Sequence, residues 1–140
     1  MILAVVFSAI SKNQNLLAQS DIIGIWLTQD KEANVQIYTY SGKCYGKIVW
    51  LKTAAYKSGI LFKDINNPVE SLKKRQLMNL VILNDFTYSD NEWTDGTIYD
   101  PTDGSTYDCK IWLEDYNTMK VRGFWGFMYE TETWTRTRTK

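Results

Sequence analysis

The sequence predicts an all-β domain: eight antiparallel strands in up-and-down order, closed into a barrel. Three observations lead there. In residues 107–113, Tyr107, Cys109, Ile111 and Leu113 alternate with Asp108, Lys110 and Trp112. That period of two marks a strand with one buried face. Short apolar runs are separated by turn-forming clusters, among them Ser41-Gly42-Lys43, Asp100-Pro101-Thr102-Asp103-Gly104 and Glu114-Asp115-Tyr116-Asn117-Thr118, whose residues supply the conformations that turns demand. No helical spacing interrupts residues 93–138, and the chain carries six Trp, nine Tyr and five Phe, side chains that suit strands and barrel interiors. A meander of this length needs closure or a second sheet, because an open edge invites aggregation. Most connections are short, which favours closure over a sandwich with long crossovers.

Strands are expected at 24–29, 33–40, 44–51, 77–83, 92–99, 105–113, 119–128 and 131–139. Gly24-Ile25-Trp26-Leu27-Thr28 opens the domain, and a polar turn over 29–32 follows. Val35, Ile37 and Thr39 share one face of the second strand, which a tight turn at Ser41-Gly42-Lys43 joins to the third. Residues 52–76 form a long, irregular connection of the kind that often serves as a lid. Within it, Asp64-Ile65-Asn66-Asn67-Pro68 is turn chemistry, and 69–75 is expected to form a short helix with Pro68 at its first position. Residues 77–83 are strongly apolar and read as the fourth strand, with a polar turn over 84–91. Gly123 and Gly126 interrupt the seventh strand and suggest a bulge, a bend or room for an aromatic neighbour. Tyr129-Glu130-Thr131 is expected to turn the chain into a Thr-rich last strand.

The N-terminus has a different character. Residues 2–10 are apolar, and Ala18-Gln19-Ser20 places small residues where a signal peptidase cleaves. Residues 1–20 are therefore expected to be a secretory signal and 21–140 the barrel domain, exported to the periplasm or secreted. The apolar run is shorter than the roughly 20 residues of a membrane span, so the mature chain is expected to carry no transmembrane segment. No Lys or Arg precedes the run, and Ser11 to Asn15 is polar, so a loose N-terminal arm is the competing reading.

Composition removes several function classes. Lys plus Arg and Asp plus Glu balance at 16 each, leaving no basic field for phosphate backbones, so no nucleic-acid partner is expected. The chain has no histidine, which removes Ser-His-Asp and Cys-His catalysis and His-ligated metal or haem. No metal, cofactor or catalytic residue is expected. Cys44 and Cys109 fall on strands distant in sequence and are read as two buried thiols, with a disulfide the lesser alternative.

Strand parity selects a lining for the barrel. Val35, Ile37, Thr39, Tyr107, Cys109, Ile111, Leu113, Val121 and Trp125 lie on the more apolar faces and should point inward. With the hydroxyls of Thr39 and Tyr107, such a lining suits a small hydrophobic or amphipathic molecule. The alternative is that these side chains fill the interior. Arg75 and Arg122 are candidate polar anchors. Arg122 either points inward to meet an anion or lies outward in solvent, and Arg75 either pins the 52–74 connection to the barrel rim or caps a helix. Asp100 with Asp103, or Asp64 with a neighbour, could form a carboxylate pair for acid–base work, although the first two are also what their turn requires.

Two resemblances bear on these residues. Gly24-x-Trp26 on the first strand resembles the Gly-x-Trp signature of lipocalins, in which an Arg of the last strand packs over the Trp. Arg136 and Arg138 are placed for that, and Arg over indole is worth about 0.5–2 kcal/mol. More broadly, Gly24-x-Trp26, Asn67-Pro68, Arg75, Trp93, Gly96, Tyr99-x-Pro101, Gly104, Tyr107, Val121-Arg122-Gly123, Gly126 and Trp134-x-Arg136 resemble, in order and spacing, the small exported bacterial proteins grouped as domain of unknown function 2147. Gln76 and Asn79 stand where that pattern has Pro and Gly, and a Gly-Arg pair before the final Trp is absent. The resemblance implies an extracytoplasmic, lipocalin-like barrel with no established catalytic activity. Gly24, Trp26, Trp134 and Arg136 would then close the barrel structurally. The expected function is non-catalytic binding of a small hydrophobic or amphipathic molecule. The alternative is a filled barrel that contacts a cell-envelope protein partner, and a carboxylate-based enzyme is a third class.

Overall fold

The computed structural model describes residues 17–55, 57, 59 and 62–138. Its eight strands are β1 (Gly24–Leu27), β2 (Ala33–Tyr40), β3 (Lys43–Leu51), β4 (Val81–Ser89), β5 (Glu92–Asp100), β6 (Ser105–Asp115), β7 (Thr118–Trp125) and β8 (Met128–Thr137). Each pairs antiparallel with its neighbours, and β1 pairs with β8 to close the barrel. The expected fold class is therefore the observed one. The short helix is not: 69–75 contributes only a 3-10 turn, Glu70–Leu72. Asn67 Oδ1 accepts the Val69 N–H at 2.8 Å, so an Asx turn leads into this segment.

The fourth strand begins later than expected and runs through the polar stretch assigned to a turn. Asp85 adopts φ 66° and forms a bulge, so that Leu83 pairs with Gly46 while Phe86 pairs with Cys44. Three residues of β4 thus span two of β3, and both Leu83 and Phe86 point inward. Asp95, at φ 62°, does the same in β5, where Trp93 pairs with Ile111 and Gly96 with Cys109. These bulges break the period of two and conceal the strand from pattern reading. The β7–β8 turn is also elsewhere: Gly126 at φ 61° and Phe127 make it, and Tyr129, Glu130 and Thr131 belong to β8.

Up-and-down order separates two ends. The 41–42, 90–91 and 116–117 turns lie at one end with the 3-10 turn Gln19–Ile22. Residues 28–32, 52–55, 62–80, 101–104 and 126–127 lie at the other. The interior near the first end is packed solid. Ile22, Ile37, Cys44, Leu83, Phe86, Trp93 and Ile111 meet there and leave no volume that would take a water molecule. A Cβ on Gly96 would sit 2.5 Å from the Phe86 ring, so this glycine makes room for the aromatic that fills the barrel. Of the expected signal region, 1–20, residues 1–16 lie outside the described residues, while 19 and 20 enter the 3-10 turn Gln19–Ile22.

Candidate functional site

The closed end is built by Arg136. Its guanidinium lies 4.3 Å from the Trp26 ring centroid and 3.9 Å from that of Tyr116. It donates to the carbonyls of Tyr116 at 2.9 Å, Ile23 at 3.0 Å and Asp21. Trp26 Nε1 donates to the Ile22 carbonyl at 2.9 Å. Gly24 is required: a Cβ there would lie 2.4 Å from Arg136 Nη1. Each of the three guanidinium nitrogens is thus engaged within the fold, and this end is a plug. Trp134 is buried beside it on the inner face and donates to Glu132 at 2.8 Å. Arg138 is exposed beyond the end of β8.

The residues expected to line a cavity divide into three groups. Val35, Ile37, Cys109, Ile111 and Val121 are buried in the core, with Leu113 partly buried against them. Thr39 is exposed at the closed end, at the far end of the barrel from Tyr107. Tyr107 and Trp125 share the inner face at the open rim with their rings 6.0 Å apart, but Trp125 is 45% exposed. The Tyr107 hydroxyl donates to Asp103 at 2.6 Å. Thr39 and Tyr107 therefore cannot serve one pocket. Arg122 is outward: its guanidinium lies 5.0 Å from the Trp112 ring centroid and 4.1 Å from that of Tyr129, and Nε donates to Thr131.

The open space is elsewhere, on the outer wall. Parity turns Ile98 inward and Tyr99 outward, and the 62–76 segment folds back over Tyr99. Asp64, fully buried, organises this lid. It accepts hydrogen bonds from the Tyr99 hydroxyl at 2.6 Å, Asn67 Nδ2 at 2.9 Å and Arg75 Nε at 3.0 Å. The backbone pairs Lys63 with Gln76 and joins Asp64 N–H to the Arg75 carbonyl. Asn66 Nδ2 donates to the carbonyls of Pro101 and Thr102. Gly104, at φ 74°, lets the Asn66 carbonyl approach to where a Cβ would be only 1.9 Å away. Burial, and then the hydrogen bond to Asp64, push the Tyr99 hydroxyl up to about 12.

Between this lid and the wall lies a cleft of about 670 Å³ lined by Arg75, Gln76, Met78, Asn79, Asn84 and Tyr99, with Leu80 and Val81. That size suits a small ligand. Arg75 spends Nε on Asp64, and its side chain is 40% exposed. Its two terminal nitrogens have no hydrogen-bond partner among the described residues. They form a fork able to bind a carboxylate or phosphate. Of the residues singled out from sequence as lining or anchors, only Arg75 lines the cleft. Asn79, Asn84 and Met78 carried no local signal, because the lid brings them together.

The two turn acids are occupied structurally. Asp100 accepts from the Thr102 N–H and hydroxyl. Asp103 accepts from the Ser105 N–H and from Tyr107, whose hydroxyl holds the carboxyl below its usual range.

Asn67, Arg75, Tyr99, Pro101 and Gly104, far apart in sequence, thus converge on one lid joint. The family model described as an uncharacterized protein conserved in bacteria (DUF2147) matches residues 24–136. The chain belongs to the DUF2147 family. No curated protein matches it significantly. Among solved structures it is similar to protein HP1028 from the human pathogen Helicobacter pylori, described as belonging to the lipocalin family. The identity is 25%, the TM-score 0.71, and the match covers 83% of this chain and 82% of that one. The DUF2147 barrel here is thus lipocalin-like in fold, with its plug formed by Gly24, Trp26 and Arg136.

Proposed function

We propose that this DUF2147 protein is a non-catalytic binder of a small amphipathic molecule, held in the cleft between the lid and the outer wall of β4 and β5. The observation that carries this reading is the contrast between a barrel packed at its closed end and a cleft of about 670 Å³ holding Arg75, whose terminal nitrogens have no hydrogen-bond partner among the described residues. Arg75 meets an anionic end, the amides of Gln76, Asn79 and Asn84 fix its orientation, and Met78, Leu80 and Val81 face its apolar part. Export to the periplasm or beyond is part of the reading, supported by the apolar 2–10 run and Ala18-Gln19-Ser20. An intact mass starting at Asp21 in an envelope fraction is the expected result.

The test is native mass spectrometry of protein purified from its own host, followed by thermal shift with fatty acids and alkyl phosphates. A reproducible adduct lost on denaturation, and absent in Asn84→Trp, which fills the cleft, is expected. A bare mass and no stabilisation by any compound would reject the reading. The packed closed end favours a second reading, an envelope module that works by its surface. A bare mass together with co-purification of an envelope protein would support it.

A further inference from the structure

Exposed apolar side chains are unevenly placed on this barrel. Among the described residues, Trp50, Ile65, Val69, Trp125, Phe127, Met128 and Tyr129 are exposed at the open end, against Ile23, Tyr40 and Tyr116 at the closed end. The open-end group centres on the β7–β8 hairpin. Gly126, at φ 61°, turns the chain so tightly that Phe127 stands at the apex, 96% exposed. Met128 and Tyr129 follow on one arm at 51% and 56%, and Trp125 precedes on the other. Leaving such a run in water is costly, and contiguous apolar exposure marks an interaction site.

We propose that the open end of the barrel docks on a lipid bilayer surface, with the 125–129 hairpin tip entering the headgroup region. Shape argues for lipid. The tip is a convex knob, which a deformable bilayer accommodates wherever it lands, whereas a protein partner would need a matching pocket. The chemistry agrees. An apex Phe flanked by Trp and Tyr places an apolar tip below two amphipathic rings, the arrangement that interfaces favour. The lid supplies the second element at the same end. Ile65 and Val69 are exposed on it, as are Lys63 and Lys74, and these two lysines and the exposed Lys57 of the preceding connection have no ion pair among the described residues. Basic and apolar groups together suit an anionic interface. Of the acids at this end, Asp30, Asp100 and Asp103 accept hydrogen bonds in their own turns, and Glu32 and Glu70 lie 4.0 Å from Lys52 and Lys73, which leaves the exposed Glu130 beside Tyr129 as an opposing charge.

The proposal stands apart from ligand binding in the cleft, and Asn84→Trp should leave it unchanged. Its test is flotation of the full chain with vesicles of phosphatidylglycerol and phosphatidylcholine in equal parts, and of phosphatidylcholine alone. Wild type is expected to float with the mixed vesicles, more weakly with the neutral ones. Phe127→Ser should lower the partition coefficient about tenfold with an unchanged melting temperature, because the ring makes no core. Lys57→Gln, Lys63→Gln and Lys74→Gln together should abolish the preference for the anionic mixture. Absence of flotation, or equal flotation of wild type and Phe127→Ser, overturns the proposal. So does a wild-type dimer in light scattering that Phe127→Ser dissociates, since the tip would then be a contact between copies.

Discussion

Replacing Asp64 by Ala should detach the lid. The carboxylate is fully buried and accepts three hydrogen bonds, from Tyr99 at 2.6 Å, Asn67 at 2.9 Å and Arg75 at 3.0 Å. Removing it strands two buried donors, each at about 1–3 kcal/mol. Asn67 Nδ2 keeps a longer bond to the Tyr99 oxygen at 3.3 Å, which recovers a little. Arg75 is 40% exposed, so water takes over its charge and its ion pair is discounted. Relief from holding a carboxylate out of water offsets part of the loss. The balance is about 3 kcal/mol, a fall of about 10 °C in melting temperature for a domain of this size. Asp64→Asn should cost about half as much, because its amide oxygen can accept from Asn67 and Arg75 while its nitrogen donates to the Tyr99 oxygen. Urea unfolding followed by tryptophan fluorescence measures both variants, and hydrogen exchange should show 62–76 losing protection in Asp64→Ala. A loss below about 1 kcal/mol in Asp64→Ala would refute the reasoning, since a joint this connected cannot be that cheap to remove.

Tyr99 ties stability to alkaline pH. Its hydroxyl is raised from 10.0 to about 12 in the fold, so the folded state favours the neutral form. That contribution is complete below pH 10 and is lost as pH rises toward 12; Tyr99→Phe should flatten this part of the wild-type curve, and parallel curves would contradict the assignment. Gly96→Ala pushes a methyl into the Phe86 ring at 2.5 Å and should cost about 1–3 kcal/mol, with Phe86→Leu in the same chain restoring most of it; a lack of rescue would mean that Phe86 is not what the glycine accommodates. Burial pushes the Cys109 thiol up to about 12 and raises Cys44, and both are free. Thiol reagents should therefore label them only in denaturant, whereas rapid labelling of the native protein would show that the barrel opens.

Local chemistry was enough for the barrel. A buried face repeats every second residue along β6, and Gly and Asp cluster where chains must reverse, so those features are written in neighbouring residues. The pairing of Gly24 and Trp26 with an Arg of the last strand rests on the resemblance to the lipocalin signature, and the structure assigns it to Arg136 rather than Arg138. Residue 126 rather than 129–131 makes the β7–β8 turn, a distinction that depends on which of two glycines takes a positive φ. The β4 and β5 bulges were invisible for a related reason. Asp85 and Asp95 look like turn residues, and only pairing with the neighbouring strand shows that they are single extra residues inside continuous strands.

The lid and its cleft belonged to tertiary structure entirely. Asp64, Asn67, Arg75 and Tyr99 span 35 residues between the first hydrogen-bonded pair members, and no periodicity links a loop carboxylate to a strand hydroxyl. Parity pointed to the barrel interior for a ligand, but parity reports only which way a side chain faces. Whether space remains after the side chains meet is set by their volumes across the barrel, where Phe86 packs against Gly96 and the closed end fills. The cleft lies outside because the connection between β3 and β4 is long enough to fold back and one buried carboxylate holds it there.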